Sequence, residues 1–222
     1  PASKPPAKLD RLQLTSVFFI LLCALSPIYG AFEYMQLVLT WPITFCRIKH
    51  CERTPTNFTI HGLWPDNHTT MLNYCDRSKP YNMFTDGKKK NDLDERWPDL
   101  TKTKFDSLDK QAFWKDEYVK HGTCCSDKFD REQYFDLAMT LRDKFDLLSS
   151  LRNHGISRGF SYTVQNLNNT IKAITGGFPN LTCSRLRELK EIGICFDETV
   201  KNVIDCPNPK TCKPTNKGVM FP

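Results

Sequence analysis

Aromatic and β-branched residues are concentrated in short stretches of the chain, a pattern typical of β-strands. The first stretch, FEYMQLVLT at positions 32–40, predicts a strand that ends at Trp41-Pro42. A second stretch, at 58–60, predicts a short strand that places His61 at its end, where Gly62 permits a tight turn.

A spacing of three and four residues between apolar positions marks helices, and it is clearest between Asp130 and Arg152, before Gly155. Helices are also predicted at 107–123 and 162–175. In the helix predicted between Asp130 and Arg152, the apolar positions that are expected to face the core are Tyr134, Leu137, Ala138, Leu141, Phe145, Leu148 and Leu151.

Two further segments complete the predicted fold. The stretch 189–196 predicts a strand that pairs with 200–204, whereas 76–99 is polar and interrupted and predicts an exposed loop with at most a helical turn. Because helices and strands do not alternate regularly, the pattern favours an α+β fold over a parallel α/β fold.

The N-terminal segment 10–30 has the pattern of a secretory signal peptide. A basic start precedes an apolar run at 17–25 that is too short to span a bilayer, and cleavage is expected after Gly30. A buried core helix is the alternative, although the polar, proline-containing end of the run does not suit it. We interpret 1–9 as a translated upstream fragment or an expression remnant, which leaves 31–222 as one secreted domain.

Export changes how the cysteines are interpreted. The segment after the signal peptide contains Cys46, Cys51, Cys75, Cys124, Cys125, Cys183, Cys195, Cys206 and Cys212. An odd count in an oxidising compartment predicts four disulfides and one free thiol, and spacing alone does not identify the partners. A zinc site at Cys46, His50 and Cys51 is the alternative, but there is no CxxC pair, and disulfides are the default outside the cell.

Two surface properties agree with secretion. The candidate N-glycosylation sequons are at Asn57, Asn67, Asn168 and Asn180. The net charge is +6 and the pI is about 8.8, so the protein attracts polyanions, although many secreted proteins are basic for other reasons.

Candidate chemistry lies in the segments IHGLWPD at 60–66 and FWKDEYVKHGTCC at 113–125. The second segment carries Glu117, Lys120 and His121, which share one face of a helix. A carboxylate, a cation and two imidazoles suit in-line attack at phosphorus, where protons are moved and fixed positive charge stabilises the transition state. Taken alone, the histidine of the first segment could also be a buried structural residue.

HGLWPD followed by FWxxEYxKHGTCC closely resembles the two active-site segments of the T2 ribonucleases. The alkaline charge balance and the doubled cysteine resemble the self-incompatibility ribonucleases of plant styles. The resemblance runs from about Phe32 to the C-terminus, and it implies a single domain with helices packed on a central, mostly antiparallel sheet. It also implies the disulfides Cys46–Cys51, Cys75–Cys124, Cys183–Cys212 and Cys195–Cys206, with Cys125 free.

The resemblance also implies roles for the candidate residues. RNA supplies its own nucleophile, the ribose 2′-hydroxyl; His121 would be the general base and His61 the general acid, producing a 2′,3′-cyclic phosphate that is then hydrolysed. Glu117 and Lys120 would stabilise the phosphorane.

Asp116 stands where relatives often have a third, phosphate-binding histidine. An ionised carboxylate repels phosphate, so this departure affects the expected rate. Asp116 could instead pair with Lys120 or face solvent.

Two base sites follow from the same resemblance. Trp64 would stack on one base and Asp66 would accept from its exocyclic amine, whereas Asp99, Leu100 and Phe113 match the approximate location of the other site. The remaining tryptophans are expected in the core rather than against nucleotides, and they are Trp41, Trp97 and Trp114.

The implied function is that of a secreted, metal-independent endoribonuclease without a cofactor, which acts on single-stranded RNA. In a plant style it would be the cytotoxic determinant of gametophytic self-incompatibility, with an F-box protein of pollen as partner and 76–99 as the variable region. We expect a monomer without membrane contact after signal cleavage. The alternatives are an ordinary extracellular or vacuolar T2 ribonuclease and, in a different class, a non-catalytic binding glycoprotein on the same fold.

Overall fold

The computed structural model describes residues 32–207, 212 and 218–222. The predicted signal peptide, its cleavage site and the interpreted upstream fragment lie outside these residues.

An antiparallel sheet forms the centre of the domain, with strand order β2-β1-β5-β4 and a short β6 that pairs with β5. A separate two-stranded sheet joins β3 and β7. The strands are β1 (Tyr34–Thr40), β2 (Thr59–Asp66), β3 (Phe160–Tyr162), β4 (Asn180–Cys183), β5 (Leu189–Asp197), β6 (Val203–Ile204) and β7 (Val219–Phe221).

Helices connect the strands, so the structure has the predicted α+β class. They are α1 (Pro42–Ile48), α2 (Gly87–Arg96), α3 (Lys104–Lys110), α4 (Ala112–Lys120), α5 (Arg131–Phe145), α6 (Leu147–Asn153) and α7 (Val164–Thr175), with a 3₁₀ turn at Gly122–Cys125. In the described part of the chain, none of them has the length and apolar character needed to cross a membrane.

The central strand β1 separates the two faces of the sheet. Met35, Leu37 and Leu39 are buried on the face that packs against α5, because side chains alternate along a strand. Gln36 and Val38 lie on the opposite face. One face of the sheet therefore contributes to the core and the other is available for a site.

The predicted core positions of the three tryptophans are confirmed. Trp41, Trp97 and Trp114 are at most 2% exposed. Each indole N–H donates to a backbone carbonyl: Trp41 to Pro222 at 2.7 Å, Trp97 to His61 at 2.9 Å and Trp114 to Trp97 at 2.7 Å. These bonds satisfy a polar group that would be costly to bury without a partner.

Two predicted helices are each interrupted by a residue with left-handed backbone. The helix predicted at 107–123 is divided at Gln111, which has a φ of 48°. The helix predicted at 130–152 is divided at Asp146, which has a φ of 36°. The buried amide of Gln111 exchanges hydrogen bonds with the backbone of Phe84 at 2.8 and 2.9 Å, and these contacts hold the break in place. Tertiary contacts of this kind are not visible in helical periodicity.

The prediction of an exposed loop at 76–99 is wrong in its second half, which forms α2. Asp86 caps this helix by accepting from the amide of Lys89, and Leu93 and Asp94 are buried. The helix is mostly charged, so its apolar stripe is too sparse to be recognised in the sequence. The helix predicted at 162–175 begins at Val164, because Thr163 is its N-cap.

The structure has the disulfides that the resemblance implies, Cys46–Cys51, Cys75–Cys124, Cys183–Cys212 and Cys195–Cys206. The sulfurs of the alternative zinc site are therefore joined to each other. Cys125 has a free thiol, and burial, with a contribution from Asp127, raises its pKa to about 12, so it remains protonated at neutral pH.

Loss of the Cys75–Cys124 disulfide is expected to lower the free energy of unfolding by about 4 kcal/mol, since it closes a loop with a sequence separation of 49. The matched control is Cys46–Cys51, which has a separation of 5 and should cost about 2 kcal/mol. Denaturant unfolding of the two double serine variants measures both values. Equal losses would contradict the dependence on loop length.

Candidate active site

The sequence predicted that His61 lies at the end of its strand, but the structure places it within β2. Leu39 of β1 pairs with Ile60 and Val38 pairs with Gly62, so the register shifts and His61 has no directly opposite residue. Such a bulge changes the direction of a side chain relative to a regular strand. The imidazole Nδ1 is 3.0 Å from Oε1 of Glu191 on β5.

Helix α4 presents the second group of residues. It ends at Lys120, and His121 follows as the C-cap, with its amide donating to the carbonyl of Glu117 at 2.8 Å. Glu117 is buried within the last turn. The three residues that the sequence placed on one helical face therefore lie together at the C-terminal end of α4.

Trp64 connects the two segments. Its ring stacks on His121 with centroids 5.0 Å apart, and its indole N–H donates to Oε2 of Glu117 at 3.1 Å. It also contacts the edge of His61, with centroids 5.2 Å apart. One side chain of β2 therefore holds both imidazoles and the carboxylate in a single cluster.

Gly62 allows this cluster to form. A Cβ at this position would lie 2.2 Å from both Oε2 of Glu117 and Nε1 of Trp64, which is closer than any real contact. The sequence suggested a tight turn here. The structure shows instead that this residue is paired within β2 and that its missing side chain makes room for Glu117.

Burial controls the charge of His121, which is 5% exposed. Desolvation, followed by Lys120 and His61, lowers its pKa to about 3. Neither ring nitrogen has a hydrogen-bond partner in the part of the chain that the structure describes. At neutral pH this imidazole is uncharged and keeps a lone pair that can accept a proton.

The two carboxylates of the site are shifted in opposite directions. Burial raises the pKa of Glu117, and the opposing effects of His61 and the Trp64 hydrogen bond do not fully cancel it. Burial also opposes ionisation of Glu191, but the hydrogen bonds and charge attraction from His61 and Lys190 together outweigh this effect, and the pKa of Glu191 is lowered.

A groove of about 500 Å³ runs along the open face of the sheet beside these residues. Among its lining residues are Trp64, Asp66, Lys120, His121 and Glu191. The carboxylate of Asp66 accepts from the amides of Asn67 and Leu72, at 2.9 and 2.8 Å, and so organises the loop that forms one wall. The contact between Asp66 and a base, which the resemblance implies, remains a prediction.

The residues of the second predicted base site are partly brought together. Phe113 lies 6.4 Å from His61 between ring centroids, and with Asp99 it lines a small cavity of about 40 Å³. Oδ1 of Asp99 accepts from the amide of Thr101. Leu100 is buried and is not among the residues that line this cavity.

Asp116 is on the exposed side of α4 and is not among the residues lining the groove. Its charge contributes slightly to the raised pKa of Glu117. Across the described ranges, no group of three or more His, Cys, Asp or Glu side chains is arranged to hold a metal ion.

The sequons differ in their surroundings. The side-chain oxygens of Asn57 and Asn67 accept from the backbone amides of Phe58 and Glu33, at 2.7 and 3.1 Å. Asn168 is partly buried on α7, and Asn180 is 9% exposed on β4, where it lines the groove. Glycosylation of each remains a prediction.

Sequence reasoning missed Glu191. The available signal was a carboxylate inside the apolar strand LKEIGICF, because Glu is rarely buried without a partner. Tyr134 was expected only as core, yet its hydroxyl also donates to the carbonyl of Leu63 at 2.8 Å and supports the strand that carries the site.

Comparison with known proteins agrees with the geometry. Residues 32–206 match the ribonuclease T2 family. Ribonuclease S-2 of Nicotiana alata is 98% identical over 214 residues, covering 96% of this chain and all of that protein. The crystal structure of the Nicotiana alata SF11-RNase, described as associated with gametophytic self-incompatibility, is 45% identical with a TM-score of 0.82, covering 86% of this chain and all of that one. RNase NT in complex with 5′-AMP is 26% identical with a TM-score of 0.73, covering 86% of this chain and 98% of that one. The chain belongs to the ribonuclease T2 family.

Proposed function

We propose that the protein is a secreted endoribonuclease that cleaves single-stranded RNA by transesterification through a 2′,3′-cyclic phosphate. The observation that carries the proposal is a pair of imidazoles that both contact the ring of Trp64, one of which, His121, lines the groove. His121 is buried and neutral, whereas the side chain of His61 is about one-third exposed and its Nδ1 lies 3.0 Å from Oε1 of Glu191. Two imidazoles in such different environments can act as base and acid in one reaction.

In this proposal His121 removes the proton of the 2′-hydroxyl, because its neutral ring has a free lone pair at physiological pH. Trp64 covers the ring in the described structure, so the hydroxyl reaches the nitrogen only after a small displacement of the indole. The hydrogen bond from the indole N–H to Glu117 opposes that displacement.

His61 donates a proton to the departing 5′-oxygen. Lys120 supplies positive charge for the phosphoryl oxygens, which carry the charge that develops in the transition state. Glu117 has a raised pKa, and its protonated form can donate a hydrogen bond to the same oxygens. The reaction needs no second nucleophile, since the ribose hydroxyl is already part of the substrate.

The experiment uses the mature protein with single-stranded RNA in excess EDTA. Cleavage is expected to continue, and ³¹P NMR should detect 2′,3′-cyclic phosphate ends before they are hydrolysed. The matched substrate is 2′-O-methyl RNA of the same sequence, which should stay intact because its nucleophile is blocked. Cleavage of the methylated strand would contradict the proposal. So would a loss of activity in EDTA that a divalent metal restores.

The biological role we propose is cytotoxic rejection of pollen in the style, with an F-box protein of pollen as partner. The support is the near-identity to ribonuclease S-2 of Nicotiana alata and the alkaline charge balance. The alternative within the class is nutrient recovery by an extracellular or vacuolar enzyme. Application of the purified protein to pollen tubes separates them, since only the first predicts arrest that depends on the pollen genotype.

Asp116→His is expected to raise kcat/KM on RNA about two- to fivefold, chiefly through KM, because exposed charge interactions are worth about 0.2–1 kcal/mol. The gain should be larger below about pH 6.5, where the new imidazole is protonated. Asp116→Asn is the control, since it removes the carboxylate without adding a phosphate-binding group. Equal gains in both variants would show that only the lost charge matters.

A further inference from the structure

Glu191 is a buried carboxylate at the groove. It lies on β5 opposite Thr40 of β1, two strands away from His61 on β2, and it is 7% exposed. Its Oε1 is 3.0 Å from Nδ1 of His61 and 3.4 Å from Nζ of Lys190. An ionised carboxylate in such a place costs free energy unless its partners compensate for lost hydration.

A second buried carboxylate, close to Glu191 in the sequence, provides a contrast. Glu188 directly precedes β5, is also 7% exposed, and pairs with the guanidinium of Arg47. Arg47 is permanently charged, so this pair has an ordinary structural role. Glu191 instead contacts an imidazole that is about one-third exposed and borders the catalytic cluster.

We propose that Glu191 is a positioning residue that sets the tautomer and the orientation of His61. The inference rests on the role of His61 in the proposed function. When Nδ1–H donates to Glu191, the proton that is exchanged with substrate must be carried by Nε2, because the hydrogen bond made by one ring nitrogen determines the state of the other. The ring is also held in one orientation across the sheet.

Other ionisable groups lie near His61, but they do not make the same contact. Glu117 of α4 and His121, which follows that helix, interact with His61 electrostatically, and Lys190 on β5 pairs with Glu191. Of the carboxylates named here, Glu191 is the one within hydrogen-bond distance of the imidazole. The ring is therefore oriented from β5 rather than from α4.

The test compares Glu191→Gln and Glu191→Ala with Glu188→Gln as a matched control. In Glu191→Ala, kcat should fall about tenfold to a hundredfold with little change in KM, the scale seen when a group that orients a functional histidine is removed. In Glu191→Gln, which can still accept a hydrogen bond, kcat should fall less. Glu188→Gln should leave kcat unchanged, whatever its effect on Tm.

A spectroscopic measurement keeps the test decisive if the alanine variant folds poorly. In ¹⁵N-histidine-labelled protein, the neutral ring of His61 should carry its proton on Nδ1, and in Glu191→Gln this preference should weaken. A wild-type ring protonated on Nε2, or an unchanged tautomer preference in Glu191→Gln, would overturn the proposal. Full activity of His61→Asn would instead overturn the proposed role of His61 itself.

Discussion

Replacing His121 or His61 by Asn is expected to lower kcat on RNA by about 10² to 10⁴-fold, the usual contribution of a positioned acid or base. Asn has a similar volume and remains polar, but it cannot carry a proton between groups. For His121 the loss should be the same at all pH values above about 5, because its pKa of about 3 keeps the wild-type imidazole neutral there. Steady-state kinetics with one defined oligonucleotide measures both variants.

His154→Asn is the matched control for these variants. His154 is exposed after α6, away from the groove lining, so its replacement should leave kcat unchanged. Circular dichroism and Tm of all three variants establish that the fold is retained. Residual activity within threefold of the wild type in either active-site variant would exclude the proposed acid–base pair.

The buried, neutral state of His121 also predicts how the protein responds to acid. Its pKa is about 3 in the folded protein and about 6.5 in the unfolded chain, so the unfolded chain binds the proton more tightly. Stability should therefore decrease as the pH falls from about 6.5 toward 3, by up to about 5 kcal/mol from this one group. Above pH 6.5 neither state is protonated and the effect is absent.

The measurement is the difference in free energy of unfolding between the wild type and His121→Asn as a function of pH. Taking the difference cancels the contribution of the carboxylates, which titrate in both proteins over the same pH range. The wild type should lose stability relative to the variant on acidification, and His154→Asn should show no such trend. A flat difference curve between pH 7 and 4 would mean that protonated His121 is tolerated in the folded protein, and that its neutrality does not arise from burial.

The sequence alone determined the chemistry and much of the local structure. The segments around His61 and His121 indicated two imidazoles, a carboxylate and a cation, and these types of side chain are properties of the chain before it folds. The periodicity of α5 and the apolar strand β1 were also readable, since a helix and a strand each repeat over a few neighbouring residues. Burial of Trp41, Trp97 and Trp114 was expected because large aromatic side chains favour the core.

Tertiary structure decided how these parts meet. The bulge at His61, the approach of Glu117 over Gly62 and the break at Gln111 all depend on contacts between segments far apart in sequence. Local patterns do not contain these distances, because a shift of one residue in strand pairing leaves the periodicity unchanged. Glu191 is the clearest case: it is a polar residue in an apolar strand until the folding of β2, β1 and β5 into one sheet places its carboxylate against His61.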